Sequence, residues 1–321
     1  MTDGRQVLIL ESAVRAAQEG NNRDAIRLLE SVLEPELDAR FWGLLGDLYV
    51  EEEQYASAVD ALQMAIRQDP SSSALFSALG RAYLAIGRLR DSEEAFQTSI
   101  RLKPTAARWV MLGDVQASRG RERLARQSFE HALALESNND EALFNLALLL
   151  RSKEPRRAEA LLDEVLTIDA EFAKAYRELG FIRLRRGEHT RAEEDLSRAM
   201  QLDPDDPWTS VYLAALAEAK GNVSDAQAHL ERAREVAIME GFPDYLLGDL
   251  LARGGRWAEA EAKYHDALQA NRKDPEATFH FARFLSDCGR KGEARDWAER
   301  TLALDAGHEG AAELLGDLQC S

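Results

Sequence analysis

The sequence of 321 residues has little proline, little cysteine and no long hydrophobic run. Its eight prolines leave long stretches free to be helical, because proline interrupts helix interiors. Two cysteines, Cys288 and Cys320, cannot build a disulfide framework, so we expect free thiols. No run of about 18 apolar residues occurs, which predicts no membrane insertion. The early apolar run 7–10 is too short for a signal-peptide core, and we expect a cytoplasmic protein.

Basic residues are also fewer than acidic ones. The 40 Lys and Arg residues are outnumbered by 57 Asp and Glu residues, and the net charge is −17. Such a chain repels phosphate backbones at long range, so we expect no nucleic-acid partner. Apolar residues make up 45 % of the sequence, which is enough to bury a continuous core.

The usual sequence signs of catalysis and of metal binding are missing as well. The six histidines show no close spacing of the kind found in metal sites or catalytic triads. The sequence contains no phosphate-binding glycine loop and no catalytic serine motif. Its carboxylates are abundant, but they are scattered as on a solvated helix face. We therefore predict a protein that is not an enzyme and has no catalytic residue, metal or cofactor.

What the sequence does contain is a repeat of 33 or 34 residues. Once per period a small residue follows a leucine or phenylalanine, at Gly46, Gly80, Gly113, Ala147, Gly180, Ala214, Gly248, Ala282 and Gly316. A second small residue lies about twelve positions further on, at Ala25, Ala58, Ser92, Ala125, Ala158, Ala192, Ala226, Ala260 and Ala294. A large side chain follows most of these one helical turn later. Two series in phase predict two short helices per repeat, packed closely at the small residues.

Glycine and proline mark the ends of these predicted helices. Glycine stands seven positions after the first small residue of most repeats, where it would end the first helix in a left-handed conformation. Pairs such as Asp69-Pro70 and Asp203-Pro204 mark turns between repeats, because proline cannot continue the preceding helix. Helices of this length are not stable alone, so stacking of repeats must bury their remaining apolar surface.

The repeat resembles that of the tetratricopeptide repeat family. The second repeat carries nearly the full pattern, with Trp42, Leu45, Gly46, Tyr49, Ala58, Leu62, Ala65 and Pro70. The resemblance implies an all-α fold, a right-handed superhelical α-solenoid of stacked helix-turn-helix repeats in a single array over 1–321. The expected repeats are 5–38 (degenerate), 39–72, 73–105, 106–139, 140–172, 173–206, 207–240, 241–274 and 275–308, followed by a C-terminal helix at 309–321.

The C-terminal segment supplies a first helix without a second one. Its apolar face carries Leu314, Leu315 and Leu318. We expect this helix to cap the array, since a terminal repeat must cover the last apolar surface. The alternative is a homodimer contact, because a cap should be more polar on its outer side.

Aromatic residues gather in the later repeats. The resemblance implies that the first helix of each repeat lines a concave groove, and the inner positions of these helices are small and polar until about residue 141. From 141 to 285 they carry the rings of a predicted peptide-binding strip: Phe144, Phe181, Trp208, Tyr245 and Phe279. Arg177 and Arg283 would pair with acidic groups of the ligand. The alternative is that these rings pack neighbouring first helices together.

The turns also differ in charge. Those within repeats are basic, as at Arg119, Arg121 and Arg123, and those between repeats are acidic, as at Asp205 and Asp206. Helix ends favour this arrangement, because cations suit the C-terminus and carboxylates the N-terminus. The alternative is an anionic partner, or self-association, along the basic edge.

These features predict a non-catalytic scaffold or adaptor that binds a protein or peptide segment in its groove. A second hypothesis is a regulatory or accessory subunit of a multi-protein enzyme or assembly complex, such as a glycosyltransferase or an envelope-assembly machine. The family's clamp for chaperone tails is not expected, because Gly43, Asp47, Ser77 and Arg81 stand where that clamp needs Lys and Asn.

Overall fold

The computed structural model of the chain describes residues 2–32, 37–239, 244–253 and 255–320. Within these ranges the regular structure is helical, in repeating pairs of helices, which confirms the predicted all-α fold. None of the described helices is both long enough and apolar enough to cross a bilayer. Internal contacts divide the chain into two compact units, Met1–Ala142 and Leu143–Ser321.

The first unit is built from four helical pairs. Its helices are α1 (Thr2–Gln18), α2 (Asn22–Glu30), α3 (Ala39–Glu51), α4 (Tyr55–Gln68), α5 (Ser73–Ala85), α6 (Leu89–Leu102), α7 (Ala106–Ser118) and α8 (Glu122–Leu135). Each odd-numbered helix packs against the even-numbered helix that follows it, and each pair packs against the next. Side chains such as Phe41, Leu45 and Leu62 fill the core between them.

The second unit continues the same pattern. Its helices are α9 (Asp140–Leu150), which begins just before the division, α10 (Pro155–Ile168), α11 (Ala173–Arg185), α12 (His189–Leu202), α13 (Pro207–Ala219), α14 (Val223–Met239), α15 (Asp244–Arg253), α16 (Trp257–Ala270), α17 (Pro275–Asp287), α18 (Lys291–Leu304) and α19 (Glu309–Cys320). The boundary expected at residue 240 falls outside the described residues. A single array over the whole chain stays a prediction.

The predicted small residues lie where the two helices of a repeat touch. A Cβ atom added to Gly113 on α7 would stand 2.5 Å from the ring of Phe129 on α8. One added to Gly180 on α11 would stand 2.5 Å from Cγ of Leu196 on α12. These separations are well inside van der Waals contact. Glycine at these positions therefore allows the two helices to approach as closely as they do.

Left-handed glycines end most of the first helices, as predicted. Seven of them have φ angles between 71° and 81°, at Gly20, Gly87, Gly120, Gly187, Gly221, Gly255 and Gly289. In the second repeat the same position is taken by Glu53, whose φ is 59°. It is the non-glycine residue with positive φ in the described part of the chain. The turn after α3 thus keeps the geometry of the other repeats, although an L side chain makes it costly.

Ion pairs connect successive repeats. A carboxylate on the second helix of one repeat meets a basic residue of the next repeat at Glu93–Arg119, Glu159–Arg186, Glu193–Lys220, Glu231–Arg256 and Glu261–Arg290. Most of these pairs are partly exposed and contribute about 1 kcal/mol or less each. Glu93 and Arg119 are buried, so their pairing offsets part of the cost of burying two charges, and Gln116 and Arg121 also meet Glu93. These pairs account for several charges of the basic edge, whereas helix-end preference does not explain Arg88, Arg121, Arg256 and Arg290, because they stand at the N-caps of second helices.

The C-terminal helix α19 lies against the last repeat. Leu318 is buried and Leu314 partly buried on the core that α16, α17 and α18 share. The Arg295 guanidinium of α18 donates a hydrogen bond of 3.2 Å to the carbonyl oxygen of Leu318. This packing covers the end of the second unit. A homodimer contact through this helix stays a prediction.

Replacing Glu53 by glycine should stabilise the protein. The substitution removes the cost of a left-handed conformation, which we expect to raise the free energy of unfolding by about 1 kcal/mol. Urea unfolding followed by circular dichroism measures the change. Glu136, an exposed glutamate whose φ is −138°, is the matched control, and Glu136→Gly should give no gain. A gain of equal size in both variants would contradict the explanation.

Replacing Gly113 by alanine should destabilise the protein. The new methyl group would collide with the ring of Phe129, and overpacking of this kind costs about 1–3 kcal/mol. Gly316 offers the control, because it lies in a helix with no atom within 4 Å of an added Cβ. There alanine should be neutral or stabilising. Equal effects at the two sites, in the same unfolding experiment, would show that the close approach is unimportant.

Candidate functional site

A groove of about 670 Å³ opens in the second unit. Its walls come from the turn after α9 and from α11, α13, α15, α16 and α17, so first helices supply most of them. The rings on its lining are Phe181, Tyr212, Trp257, Tyr264 and Phe284, and the charged side chains are Arg151, Arg185, Arg283, Asp249 and Asp287. A concave site of this size, with rings and a few polar groups, is typical of ligand-binding sites.

Phe181 is one of the lining rings. Its ring stacks on that of Tyr212, with centroids 4.8 Å apart and planes at 27°. Two guanidinium groups lie over the same ring, with Cζ of Arg151 at 5.3 Å and Cζ of Arg185 at 5.9 Å from its centroid. Arg151 also forms an ion pair with the buried carboxylate of Glu178. Cation–π contacts therefore hold two positive charges at this end of the groove.

Trp257 supplies the most exposed ring of the lining. It is the first residue of α16, and 48 % of its surface is accessible to solvent. Its indole lies 6.0 Å from the ring of Phe284, between centroids. The preceding Arg256 is held by ion pairs to Glu231 and Glu259, which fixes the start of the helix. Folding thus leaves a large apolar surface in water inside a groove.

A buried carboxylate organises the opposite wall. Asp249 on α15 accepts hydrogen bonds from Tyr264 Oη at 2.5 Å, His280 Nδ1 at 2.7 Å and Arg283 Nη2 at 2.8 Å. Burial opposes its ionisation, but the hydrogen bond from His280 and the charge of Arg283 hold its pKa below the usual value. Burial and the Asp249 charge raise the pKa of Tyr264. In the described part of the chain, no three His, Cys, Asp or Glu residues form a metal-binding group.

Two of the seven predicted binding residues, Phe181 and Arg283, line the groove. Arg177 is 12 % exposed and forms ion pairs of 3.0 Å with Glu178 and 3.1 Å with Asp206. Burial disfavours its charge, but these two carboxylates raise its pKa above the ordinary value. Glu178 and Asp206 therefore neutralise the charge of Arg177 within the chain.

The other four predicted residues pack against neighbours in the second unit. Phe144 is 8 % exposed and meets Phe172 edge-on at 5.1 Å. Trp208 lies on the apolar cluster beneath Phe181. Tyr245 lies 4.9 Å from the ring of His280, and Phe279 lies 4.6 Å from that of His308, between centroids. These contacts agree with the alternative of packing between repeats, and the binding role of the strip stays a prediction.

Tyr212 and Trp257 are groove residues that the sequence reasoning missed. The inner positions were read from the first helices, and Trp257 belongs to the start of a second helix. On α13 the predicted residue was Trp208, which packs on an apolar cluster, whereas Tyr212 lines the groove. The sequence does contain a signal for Trp257. It directly follows the Gly255-Arg256 turn, and a position at the start of a helix is an unusual place for a core tryptophan.

Comparison with curated proteins finds relatives much longer than this chain. Human Protein O-mannosyl-transferase TMTC1 is 28 % identical over 200 residues, which are 60 % of this chain and 22 % of that protein. Cellulose synthase operon protein C of Pseudomonas fluorescens (strain SBW25) is 26 % identical over 277 residues, which are 79 % of this chain and 21 % of that protein. The chain thus spans about a fifth of the length of these relatives.

Comparison with solved structures finds the same fold in shorter proteins. PilF of Pseudomonas aeruginosa superposes with a TM-score of 0.55 at 17 % identity, covering 62 % of this chain and 91 % of that one. PilW, a widely conserved type IV pilus biogenesis factor, superposes with a TM-score of 0.55 at 19 % identity, covering 61 % of this chain and 92 % of that one. At such identities the likeness concerns the fold alone.

Family models establish the relationship directly. Three models, each described as tetratricopeptide repeat, match residues 171–239, residues 10–73 and 213–275, and residues 49–113 and 251–318. Their matches together cover residues 10–113 and 171–318, which is most of the chain. The chain therefore belongs to the tetratricopeptide repeat family.

Proposed function

We propose that the protein is a non-catalytic scaffold or adaptor that binds a segment of another protein in the groove of its second unit. The half-exposed indole of Trp257, in the groove that the stacked rings of Phe181 and Tyr212 also line, is the observation that carries this proposal. A ligand that covered this exposed half, roughly 100 Å², would gain about 2.5 kcal/mol. Rings of this kind dominate the binding energy of many protein interfaces.

The polar groups of the groove support a binding role over a catalytic one. The Asp249–His280 pair is the arrangement most like an acid–base dyad. Both carboxylate oxygens of Asp249 already accept hydrogen bonds, one from Tyr264 and the other from His280 and Arg283. The pair therefore orients neighbouring side chains, and we assign it a structural role in the wall of the groove.

A second candidate function is that of an accessory subunit in an enzyme or assembly complex. The similarity to cellulose synthase operon protein C and to TMTC1 favours it. The chain matches only a fraction of the two longer relatives, so their activities are not carried over. Recovery of an enzyme in fixed stoichiometry with this protein would favour this second candidate. A cytoplasmic location stays a prediction under either candidate.

Replacing Trp257 by alanine should weaken partner binding at least tenfold, because the exposed half of the indole becomes buried only in the complex. The fold should survive, since half of the side chain is in water. Affinity purification from the source cells with mass spectrometry identifies the partner. Calorimetry with the purified partner then gives the affinity.

Leu135 is the control for this substitution. It is 53 % exposed on α8 of the first unit, and Leu135→Ala should leave the affinity unchanged. Wild-type affinity in Trp257→Ala, with circular dichroism showing a folded protein, would contradict binding in the groove.

A further inference from the structure

The groove has unused hydrogen-bond donors at one end. Arg185, at the C-terminal end of α11, is exposed and lies over Phe181, and no carboxylate of the described residues pairs with it. Its neighbour Arg151 differs, because Glu178 takes up its charge and only 26 % of its side chain is exposed. A guanidinium carries five N–H donors and no acceptor. Arg185 therefore offers a charged donor group to anything that covers the Phe181 ring.

The opposite wall has unused donors as well. Arg283 bonds Asp249 through Nη2, while the described residues provide no acceptor for its Nε or Nη1. Its side chain is 42 % exposed. Asp249 itself is buried and both of its oxygens already accept hydrogen bonds, so it is poorly placed to bind a cation on the ligand. The two walls thus present positive donors and apolar rings, which favours an anionic group attached to an apolar one.

The remaining charge of the lining limits how much negative charge the ligand carries. Asp287 is exposed on the lining, and burial raises its pKa while the nearby Arg283 lowers it. The whole chain has a net charge of −17, which repels a run of acidic residues at long range. A single carboxylate can instead form charge-assisted hydrogen bonds to an arginine at short range. An adjacent ring can contact Trp257 or the Phe181–Tyr212 stack.

We infer that the groove selects protein segments that carry an acidic residue close to an aromatic residue. This inference rests on the proposed function and names the ligand chemistry of the same site. Arg185 is the main charged contact of the bound segment, and Trp257 is its main apolar contact. A ligand with the aromatic residue but no carboxylate would leave the Arg185 donors without an acceptor, and a basic side chain at the same place would face the like charge of Arg185.

Selection from random dodecapeptides displayed on phage, with the full-length protein immobilised, tests this inference. Peptides enriched on the wild type but not on Trp257→Ala should carry Asp or Glu near Trp, Tyr or Phe more often than the unselected library. One such peptide is then synthesised with its acidic residue intact and as the Gln version. The wild type should bind the acidic form at least tenfold more tightly.

Variants of Arg185 complete the test. Arg185→Gln, and more strongly Arg185→Glu, should lose most of the preference for the acidic peptide over its Gln version. Arg198→Glu is the control, because it makes the same charge change at an exposed position of α12 outside the groove lining, and it should keep the preference. Circular dichroism checks that each variant is folded.

The possible failures are distinguishable. Trp257-dependent peptides that lack the acidic residue, or that are basic, would overturn the inference and leave the proposed function standing. A preference for the acidic form that persists unchanged in Arg185→Gln would also overturn it. No enrichment, or equal enrichment on the wild type and Trp257→Ala, would contradict binding in the groove and the inference with it.

Discussion

Most helical pairs depend on one contact, between a small residue of the first helix and a large side chain sixteen residues later on the second. At Gly113 and Phe129, and at Gly180 and Leu196, the two helices are so close that a Cβ atom would not fit without displacement. The large partners are fully buried, with Phe129 at 1 % and Leu196 at 0 % exposure. These pairs are then the units that stack, and each stacking interface buries the apolar side of the pair before it.

The groove follows from this packing. When the pairs of the second unit stack, α11, α13, α15 and α17 bring their exposed sides to a common surface. Rings on that surface are held by their neighbours, as Phe181 is by Tyr212, and the wall charges are fixed by bonds such as those to Asp249. A site assembled in this way is ordered before a ligand arrives, which reduces the entropy lost on binding.

Much of the fold could be predicted from the sequence, because the small residues and the turn glycines recur at a constant interval and each has a local physical role. Glu53 shows the limit of that prediction. The repeat imposes a left-handed conformation there, but the sequence has no glycine at this position to indicate it. The site was less predictable. Arg177 was expected to meet a ligand, but Asp206, 29 residues away, takes its charge, and such partners depend on how repeats stack. Trp257 was missed because it belongs to a second helix.

Hydrogen exchange on a Phe129→Ala variant tests the central contact most directly. If stability is a sum of contacts within pairs and between neighbours, amide protection should fall mainly in α7 and α8 and in α6, which packs on α7. Helices α13 to α17 should exchange as in the wild type. A uniform loss of protection along the whole chain would contradict this account, because it would mean that the protein unfolds as one globular core.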